Sequence, residues 1–535
     1  MPKQIIKGKE ARAKMLSGIK QLSEVVTITL GPKGRNVGLD KKWVEPKVLH
    51  DGVSVAKEIS LKDPFENYAV KLVKQTSSQT NDRAGDGTTT STLLASEIVR
   101  RGMKKIDAGV NPMTMEKGIN IAVDRVVQLL KSDSREVKDN AEIRNIATIS
   151  AADEQVGELI ARAVDKVGKE GVITADKESA IMGIELEVKE GMQFNKGYVS
   201  PLLATDTDKM EAELITPYIL VTDYPIINAL EIIGFIQRFV KELNRREIVI
   251  IAPEISGPGL QNLLLNKMRG GIDPVAIQAP GFAERQKDIL EDIAALTGGQ
   301  VIYRDKVKLE DAPIEMLGRA DKVWCDAENT QIVGGDGKPE AIEARAATIR
   351  EAILKTKSDF EKTQLQDRLA KLISGAAIIK VGGMTEVEID EKKERVIDAI
   401  SATKSALEEG IIPGGGIELF QIGEDLVDLK GAKKDLQAGI DIVVQSLRAP
   451  LHKILTNAGE DADTVIKTIE SYEGDIEAYG YNVETEKFGD LYKMGVIDPT
   501  KVTRNAIQNA ASVAAKILTT EFVVVDIPEE KEQQE

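Results

Sequence analysis

The chain has 535 residues, 42% of them hydrophobic and 30% charged, and a formal net charge of −16. This length predicts three to four domains, and the acidic balance argues against binding to nucleic acid or to an anionic membrane, since both need a basic footprint. A single cysteine excludes an internal disulfide, and two histidines are too few for a His-based zinc site. The sequence also shows neither a long apolar run nor a signal-peptide core, so we expect a cytoplasmic protein.

The N-terminal region combines a helical pattern with a turn that contains basic residues. Residues 11–24 have helical apolar spacing, and Val25 to Leu30 are predicted as a strand because most of them are β-branched. The turn from Gly31 to Asn36 could present backbone amides to phosphate, although an ordinary β-turn is the other interpretation. Further on, Asp51-Gly52 is a common turn pair that alone indicates little.

Residues 85–92, Gly-Asp-Gly-Thr-Thr-Thr-Ser-Thr, are the most informative stretch. An amphipathic pattern follows, so the threonines occupy the first turn of a helix, where unpaired N–H groups favour phosphate. The carboxylate of Asp86 would repel phosphate unless a divalent cation lay between them, which predicts a nucleotide bound with Mg²⁺. A capped helix is the alternative, but three successive threonines exceed what one cap requires.

The middle of the chain predicts an α/β domain. Apolar runs at 218–222, 248–252, 275–279 and 301–303 have the length of strands, and helical patterns lie between them at 228–243, 257–269 and 283–296. A helical hairpin is predicted over 340–375, with a capping box that begins at Ser358. Cys325 lies in a short apolar run and is interpreted as a packed residue, not as a nucleophile.

Two helices of this domain have apolar arcs wider than a core-facing stripe requires, about 160° for 228–243 and about 200° for 257–269. They are either core helices contacted from both sides or the walls of an exposed groove that binds apolar partners.

The C-terminal region is mainly helical. A charged helix over 386–409 carries Asp398, which by itself is an ordinary solvated residue. The run Gly414-Gly415-Gly416 suggests close approach to a ligand, and 481–484 and 496–499 are predicted as turns. A helix over 503–518 and a strand over 521–526 precede a polar, acidic tail. The common phosphate-loop and dinucleotide motifs are absent from the sequence.

These stretches together resemble a group I chaperonin, the 60-kDa GroEL type. The resemblance rests on 29–36, 51–56 and 85–90, and it continues in order through the motifs at 167–173, 190–194, 279–282, 408–410, 414–416, 479–482 and 498–504.

The resemblance implies a multidomain α and α/β chaperonin fold. A mostly helical equatorial domain would comprise 1–132 and 409–535, with the acidic tail at 528–535. A small α/β intermediate domain would comprise 133–189 and 377–408, and an α/β apical domain would comprise 190–376.

The resemblance also implies a site for ATP and Mg²⁺. The nucleotide-binding residues would be Thr29, Leu30, Gly31, Pro32, His50, Asp86, Gly87, Thr88, Thr89, Thr90, Gly415, Asn482, Val483, Glu484 and Asp498. Asp86 would hold Mg²⁺, and Asp398 would orient or deprotonate the attacking water with help from Asp51. His50 replaces a usual lysine, so only a backbone role transfers and a K⁺ site there is left open.

An apolar stripe would hold non-native polypeptides and a 10-kDa co-chaperonin. Its residues would be Tyr198, Leu202, Leu203, Ile233, Ile236, Leu260, Leu264 and Leu265. The implied assembly is a homo-oligomer of seven-membered rings stacked in pairs. Lys196 replaces a usual arginine, which would weaken a pair with Glu386 between subunits.

The leading hypothesis is therefore an ATP-driven folding chaperone. A small-molecule kinase or synthetase using the same phosphate site, and a ring scaffold with an inactive ATPase, are the alternatives.

Overall fold

The computed structural model describes residues 3–41, 44–49, 52–84, 86–169, 171–178, 181–189, 191–282, 284–356, 358–373 and 375–526. The chain forms two compact units, each with its own hydrophobic core. Unit 1 contains Met1–Ala161 and Glu394–Glu535, and unit 2 contains Arg162–Lys393. The finer division into five segments stays a prediction.

The first 167 residues are mainly helical. In chain order the elements are β1 (Lys3–Lys7), α1 (Gly8–Thr27), β2 (Val37–Lys41), β3 (Val44–Leu49), α2 (Gly52–Glu58), α3 (Pro64–Ala84), α4 (Thr88–Asp107), α5 (Pro112–Asp133), α6 (Asn140–Ala151) and α7 (Glu154–Val167). Strands β2 and β3 form an antiparallel hairpin. Helices α1, α3, α4 and α5 contribute apolar faces to the core of unit 1.

The predicted strand from Val25 to Leu30 is wrong, because Val25 to Thr27 form the last turn of α1. The side chains of Ile19, Leu22 and Val26 are fully buried at helical spacing, so the core of unit 1 extends the helix through Val26. Burial here outweighs the strand preference of β-branched residues.

Unit 2 is an α/β structure. Its elements are β4 (Val172–Lys177), β5 (Ile184–Lys189), β6 (Gly191–Phe194), β7 (Ala212–Ile215), β8 (Tyr218–Val221), α8 (Ala229–Leu243), β9 (Glu247–Ala252), α9 (Gly257–Met268), β10 (Asp273–Gln278), α10 (Glu284–Thr297), β11 (Gly318–Cys325), β12 (Thr330–Gly335), α11 (Pro339–Lys355), α12 (Asp359–Ile373) and β13 (Ala376–Val381). A seven-stranded sheet has the order β10-β9-β8-β11-β12-β6, with β7 also paired to β11, and a second sheet has the order β4-β13-β5.

The predicted α/β domain with a partly parallel sheet is confirmed. Strands β8, β9 and β10 run parallel, and β11 runs antiparallel to β8. The predicted strand at 301–303 is reduced to one bridge between Ile302 and Thr222, since a turn begins at Tyr303. Cys325 is fully buried, and burial raises the pKa of its thiol to about 12, which confirms its interpretation as a packed residue.

The predicted helical hairpin is α11 and α12, and ion pairs bind it to α10. Arg345 and Arg368 both bond the buried carboxylate of Asp292. The capping box is half formed: the Glu361 N–H donates to Ser358 Oγ at 3.3 Å, while the Glu361 carboxylate accepts a bond from Thr356.

The remaining elements begin with a long helix that crosses the boundary between the units. They are α13 (Glu386–Glu409), β14 (Ile411–Pro413), α14 (Ile417–Asp425), α15 (Lys434–Ser446), α16 (Ala449–Ala458), α17 (Ala462–Glu470), β15 (Tyr479–Asn482), β16 (Lys487–Asp490), β17 (Ile497–Pro499), α18 (Thr500–Thr519) and β18 (Phe522–Asp526). Strand β18 pairs antiparallel with β1, which joins the two ends of the described chain.

The prediction of a turn at 496–499 is wrong, because β17 pairs antiparallel with β14. Ile497 and Pro499 are buried and the intervening Asp498 is partly exposed, so the strand alternation sets the direction of this carboxylate. Across the described ranges, no helix is both long and apolar enough to cross a membrane.

Candidate nucleotide site and apolar surface

The first turn of α4 leaves backbone N–H groups available. Gly87 precedes the helix in the left-handed conformation (φ 86°), and the helix start has no side-chain cap. A Cβ at Gly87 would lie 2.8 Å from Val502 Cγ1, so glycine is required for packing as well as for backbone conformation. An uncapped helix start of this kind favours a bound anion.

Thr88, the first residue of α4, has a buried hydroxyl that bonds none of the described residues. The residue is 2% exposed, and within the described part of the chain its Oγ1 has no hydrogen-bond partner. The neighbouring hydroxyl of Thr92 is different, because it donates to the Thr88 carbonyl at 3.0 Å. A buried hydroxyl without a partner is costly, so Thr88 Oγ1 is a candidate group for contact with a ligand.

Asp86 and Asp498 supply two carboxylates from distant parts of the chain. The Gly87 N–H donates to Asp86 Oδ1, and the Ser150 hydroxyl lies 3.5 Å from Asp86 Oδ2. Burial and the Asp86 carboxylate raise the pKa of Asp498 to about 7, although the Gly415 N–H opposes this shift. One or two carboxylates together with phosphate oxygens are the usual ligands of Mg²⁺, so this donor set fits the ion.

The glycine run between β14 and α14 passes close to Asp498. A Cβ at Gly414 would lie 3.0 Å from Asp498 Oδ1, and Gly415 and Gly416 both have positive φ angles, 68° and 80°. These glycines approach Asp498 and the start of α16, where a Cβ at Gly416 would lie 2.7 Å from the Leu451 nitrogen. The predicted close approach to a ligand stays a prediction.

The predicted turn after α1 is held by an asparagine that sequence reasoning missed. The side-chain amide of Asn457 on α16 donates to the carbonyls of Thr27 and Leu30, both at 2.9 Å. Thr29 and Pro32 lie within the same turn, and Gly31 in it has a φ of 88°. The available signal was a buried asparagine in an otherwise apolar helix face, which needs hydrogen-bond partners.

The hairpin of β15 and β16 lies beside that turn. Lys33 Nζ bonds Glu486 Oε1 at 2.8 Å, an ion pair that the sequence did not reveal. Asn482 Oδ1 accepts the N–H groups of Glu484 and Thr485 at 2.9 and 3.2 Å, and this fixes the hairpin loop. Val483, also in the loop, is buried.

Helix α2 begins against the threonines at the start of α4. A Cβ at Gly52 would lie only 2.0 Å from Thr89 Oγ1, so the start of α2 touches the start of α4. Thr90 is half-buried beside Thr89. The predicted residues His50 and Asp51 lie outside the described residues.

Asp398 is half-buried near the middle of α13. The end of this helix is bound to α18, because Arg504 donates two hydrogen bonds to Glu409 at 2.7 and 2.9 Å and Lys501 pairs with Glu408 at 2.6 Å. The structure therefore brings the end of α13 to the same α18 whose Val502 packs against Gly87.

In unit 2, the residues of the predicted apolar stripe differ in exposure. Leu202 is 70% exposed and Leu265 is 48% exposed. Ile233, Leu260 and Leu264 are half-buried. Lys267 of α9 donates to the carbonyls of Leu203 and Ala204 at 2.6 and 2.9 Å, which ties the turn bearing Leu202 to α9.

Tyr198, Leu203 and Ile236 are at most 7% exposed and belong to the core of unit 2. In this conformation these three side chains pack in the core of unit 2 and do not form part of its exposed apolar surface. Leu230 on α8 and Met268 on α9 are 81% and 83% exposed. Sequence reasoning missed Leu230 and counted Met268 in the apolar arc of 257–269 but not in the predicted stripe. Lys196 donates to Gln278 at 3.3 Å, and its predicted pairing with Glu386 between subunits stays a prediction.

Comparison with known proteins gives one consistent result. The sequence profile of the TCP-1/cpn60 chaperonin family matches residues 22–231 and 236–528. The fold is similar to that of the chaperonin gp146 from the bacteriophage EL 2 (Pseudomonas aeruginosa), crystallised in the presence of ATP-BeFx in two forms. For form II the TM-score is 0.70 at 20% identity, and for form I it is 0.64 at 21% identity; each comparison covers 98% of this chain and 99% of gp146.

Proposed function

The chain belongs to the TCP-1/cpn60 chaperonin family, and we propose that it is a cytoplasmic ATPase of the group I type that captures and refolds non-native polypeptides. The observation that carries this proposal is the buried hydroxyl of Thr88, which bonds no described residue, at the start of α4, where no side-chain cap is found among the described residues. A bound phosphate would stabilise such a site, because its oxygens accept hydrogen bonds from the Thr88 hydroxyl and from the backbone N–H groups of the first helical turn.

The nucleotide would lie between the segments that meet around α4. Gly87, Thr88, Thr89 and Thr90 would receive the phosphates. The turn of Thr29, Leu30, Gly31 and Pro32 would cover the nucleotide from one side. Gly415, Asn482, Val483, Glu484 and Asp498 would surround the base and ribose. Lys33 and Glu486 support this assignment, because their ion pair joins two of these segments.

Asp86 would hold Mg²⁺, which supplies neutralisation of phosphate charge when bound. Asp398 would orient the attacking water and accept its proton, with Asp51 as its helper and a backbone role for His50. Positioning of water matters most in phosphoryl transfer, since the reaction needs little covalent chemistry from the protein. A K⁺ ion at this site stays an open part of the proposal.

Polypeptide clients would bind the exposed apolar surface of unit 2. Leu202 and Leu265 would make direct contact, Ile233, Leu260 and Leu264 would contribute their exposed parts, and Tyr198, Leu203 and Ile236 would become accessible only through a conformational change. We further propose a 10-kDa co-chaperonin as a second partner of this surface, and seven-membered rings stacked in pairs as the assembly.

The test combines capture, hydrolysis and imaging on the full-length purified protein. A chemically denatured enzyme is diluted into the protein, and recovery of its activity is measured with MgATP, with ADP and without nucleotide. We expect aggregation to be suppressed without nucleotide and activity to return only with MgATP, while electron micrographs show rings. A monomer that hydrolyses no ATP and retains no unfolded chain would refute the proposal.

A further inference from the structure

We propose that Ser405 is a positioning residue for ATP hydrolysis, which holds α13 and therefore Asp398 in register with the phosphate-binding segment before α4. This inference rests on the proposed function, because it assigns a role within the same ATPase site. Ser405 lies outside every motif on which the resemblance rests, and the bond that its hydroxyl donates goes to Ala84, which is not among the predicted ligand-binding residues.

Ser405 makes a buried hydrogen bond to the end of α3. Its Oγ donates to the carbonyl oxygen of Ala84 at 3.0 Å, and the two residues are 3% and 2% exposed. Ala84 is the last residue of α3, and Asp86 follows two positions later. The final carbonyls of a helix lack partners within the helix. Ser405 therefore satisfies a carbonyl that solvent hardly reaches.

Asp398 lies on the same face of α13 as Ser405. The two residues are seven positions apart, so at about 100° per residue they differ in direction by only about 20°, and they are separated by about 10 Å along the helix axis. A bond from Ser405 to Ala84 consequently fixes both the rotation of α13 and its position along its axis relative to the segment that carries Asp86.

The ion pairs at the end of α13 do not perform the same task. Glu408 and Glu409 are bound to Lys501 and Arg504 of α18, whereas Ser405 is bonded to the end of α3 itself. Long, charged side chains tolerate small shifts, because they can follow their partners. A short hydroxyl packed at 3.0 Å from a backbone oxygen does not.

Thr403 provides a matched comparison on the same helix. It is 1% exposed, and its hydroxyl donates to the Ala399 carbonyl within α13 at 2.7 Å. Removal of this hydroxyl also deletes a buried hydrogen bond, but it breaks no connection between α13 and α3. Ser405→Ala and Thr403→Val therefore separate positioning of the helix from a general loss of stability.

The experiment measures kcat for ATP hydrolysis, ATP affinity by equilibrium titration, and hydrogen exchange of the last turn of α3, in the assembled wild-type protein and both variants. Since misplacement of a reacting group by about 1 Å is worth up to a hundredfold in rate, we expect Ser405→Ala to lower kcat at least tenfold. ATP affinity should stay within twofold of wild type, and exchange near Ala84 should accelerate. Thr403→Val should retain kcat within twofold.

If Ser405→Ala does not assemble, Ser405→Cys replaces it, because the thiol is a weaker donor of similar shape; we then expect a smaller loss of kcat. Unchanged kcat in the folded Ser405 variant, an equal loss in Thr403→Val, or a parallel loss of ATP affinity would overturn the inference while the proposed function stands. A wild-type protein without ATPase activity would overturn both.

Discussion

Asp86 and Asp498 belong to distant segments of the chain, yet the Asp86 carboxylate adds to burial, the larger cause, in raising the pKa of Asp498 to about 7. Strand β17 brings Asp498 to this position by pairing with β14, and Asp86 lies two residues before the start of α4. Two neighbouring carboxylates in a partly desolvated site repel each other when both are ionised. A bound cation would relieve this repulsion, so a carboxylate pair of this kind is consistent with the proposed binding of Mg²⁺ with nucleotide.

The first prediction concerns the pH dependence of stability without nucleotide. The folded-state pKa of Asp498 lies above its ordinary value of 3.8, so ionisation costs stability progressively as pH rises from about 4 through 7. We expect Asp498→Asn to be more stable than wild type at pH 8, by about 2 kcal/mol after allowance for solvent screening. The advantage should shrink toward pH 4, as measured by denaturant unfolding in EDTA.

Asp428→Asn is the control for this effect, because the Asp428 side chain is almost completely exposed. Its stability difference from wild type should not vary with pH. Parallel pH profiles for wild type and Asp498→Asn would contradict a raised pKa of Asp498 in the folded protein. Asp498→Asn should also bind MgATP more weakly, since one carboxylate of the proposed site is lost.

The second prediction separates ligand binding from stability at Thr88. Thr88→Val removes a buried hydroxyl that has no partner among the described residues, so the unliganded protein should unfold at the same temperature or slightly higher. ATP affinity should fall about tenfold or more, since a hydrogen bond to a charged phosphate is worth about 1.5–3 kcal/mol. Calorimetric titration and thermal unfolding measure the two quantities.

Thr92→Val is the matched control, four residues further along α4, because its hydroxyl bonds the Thr88 carbonyl. It should lose some stability and retain ATP affinity. If Thr88→Val destabilises the free protein and leaves ATP affinity intact, the Thr88 hydroxyl has a structural role and the observation that carries the proposed function is lost.

The third prediction tests the contact between α2 and α4. Gly52→Ala places a methyl group 2.0 Å from Thr89 Oγ1, which is closer than two non-bonded atoms can approach. Thr89 must therefore move, and we expect ATP affinity and kcat both to fall at least tenfold. Gly38→Ala is the control, since a Cβ there meets no atom within 4 Å; nucleotide titrations on both variants give the comparison.

Local patterns predicted the parts of the site that depend on local rules. The start of α4 was predicted because helix periodicity and a run of threonines are visible in adjacent residues. The partly parallel sheet of unit 2 was predicted for the same reason, since alternating strand-length and helix-length segments specify it.

Contacts over long distances in the chain could not be predicted from such patterns. Asn457, the Lys33–Glu486 pair and Ser405 act through partners more than 300 residues away, and no local periodicity encodes those encounters. Val25 to Thr27 were predicted as part of a strand but form the end of a helix, because burial of Val26 in the core of unit 1 outweighs the strand preference of β-branched residues. The apolar arcs of α8 and α9 predicted surplus apolar surface, but only three-dimensional packing distinguishes the buried Ile236 from the exposed Leu265.

The fourth prediction concerns Asp398. Asp398→Ala should abolish ATP turnover, with a loss of at least a hundredfold, while ATP binding changes little, because a general base acts on the attacking water and contributes about 10²–10⁴-fold. Single-turnover hydrolysis and nucleotide titration measure the two effects. Asp390→Ala is the control: it removes another carboxylate from the same helix, one that pairs with Lys177 within unit 2, and it should leave ATP turnover unchanged. Turnover at the wild-type rate in Asp398→Ala would remove this residue from the reaction.

The fifth prediction separates client capture from ATP hydrolysis. Leu202 and Leu265 are exposed in unit 2, and their loss removes apolar surface without opening a core cavity. The double variant Leu202→Ser/Leu265→Ser should therefore fail to suppress aggregation of a denatured enzyme, with capture reduced at least fivefold, while its kcat for ATP stays near wild type. Leu354→Ser is the control, because Leu354 on α11 is 85% exposed and lies outside the stripe. Equal loss of capture in the control would mean that general surface hydrophobicity, and not this stripe, retains the client. Normal capture by the double variant would move the client site elsewhere on the molecule.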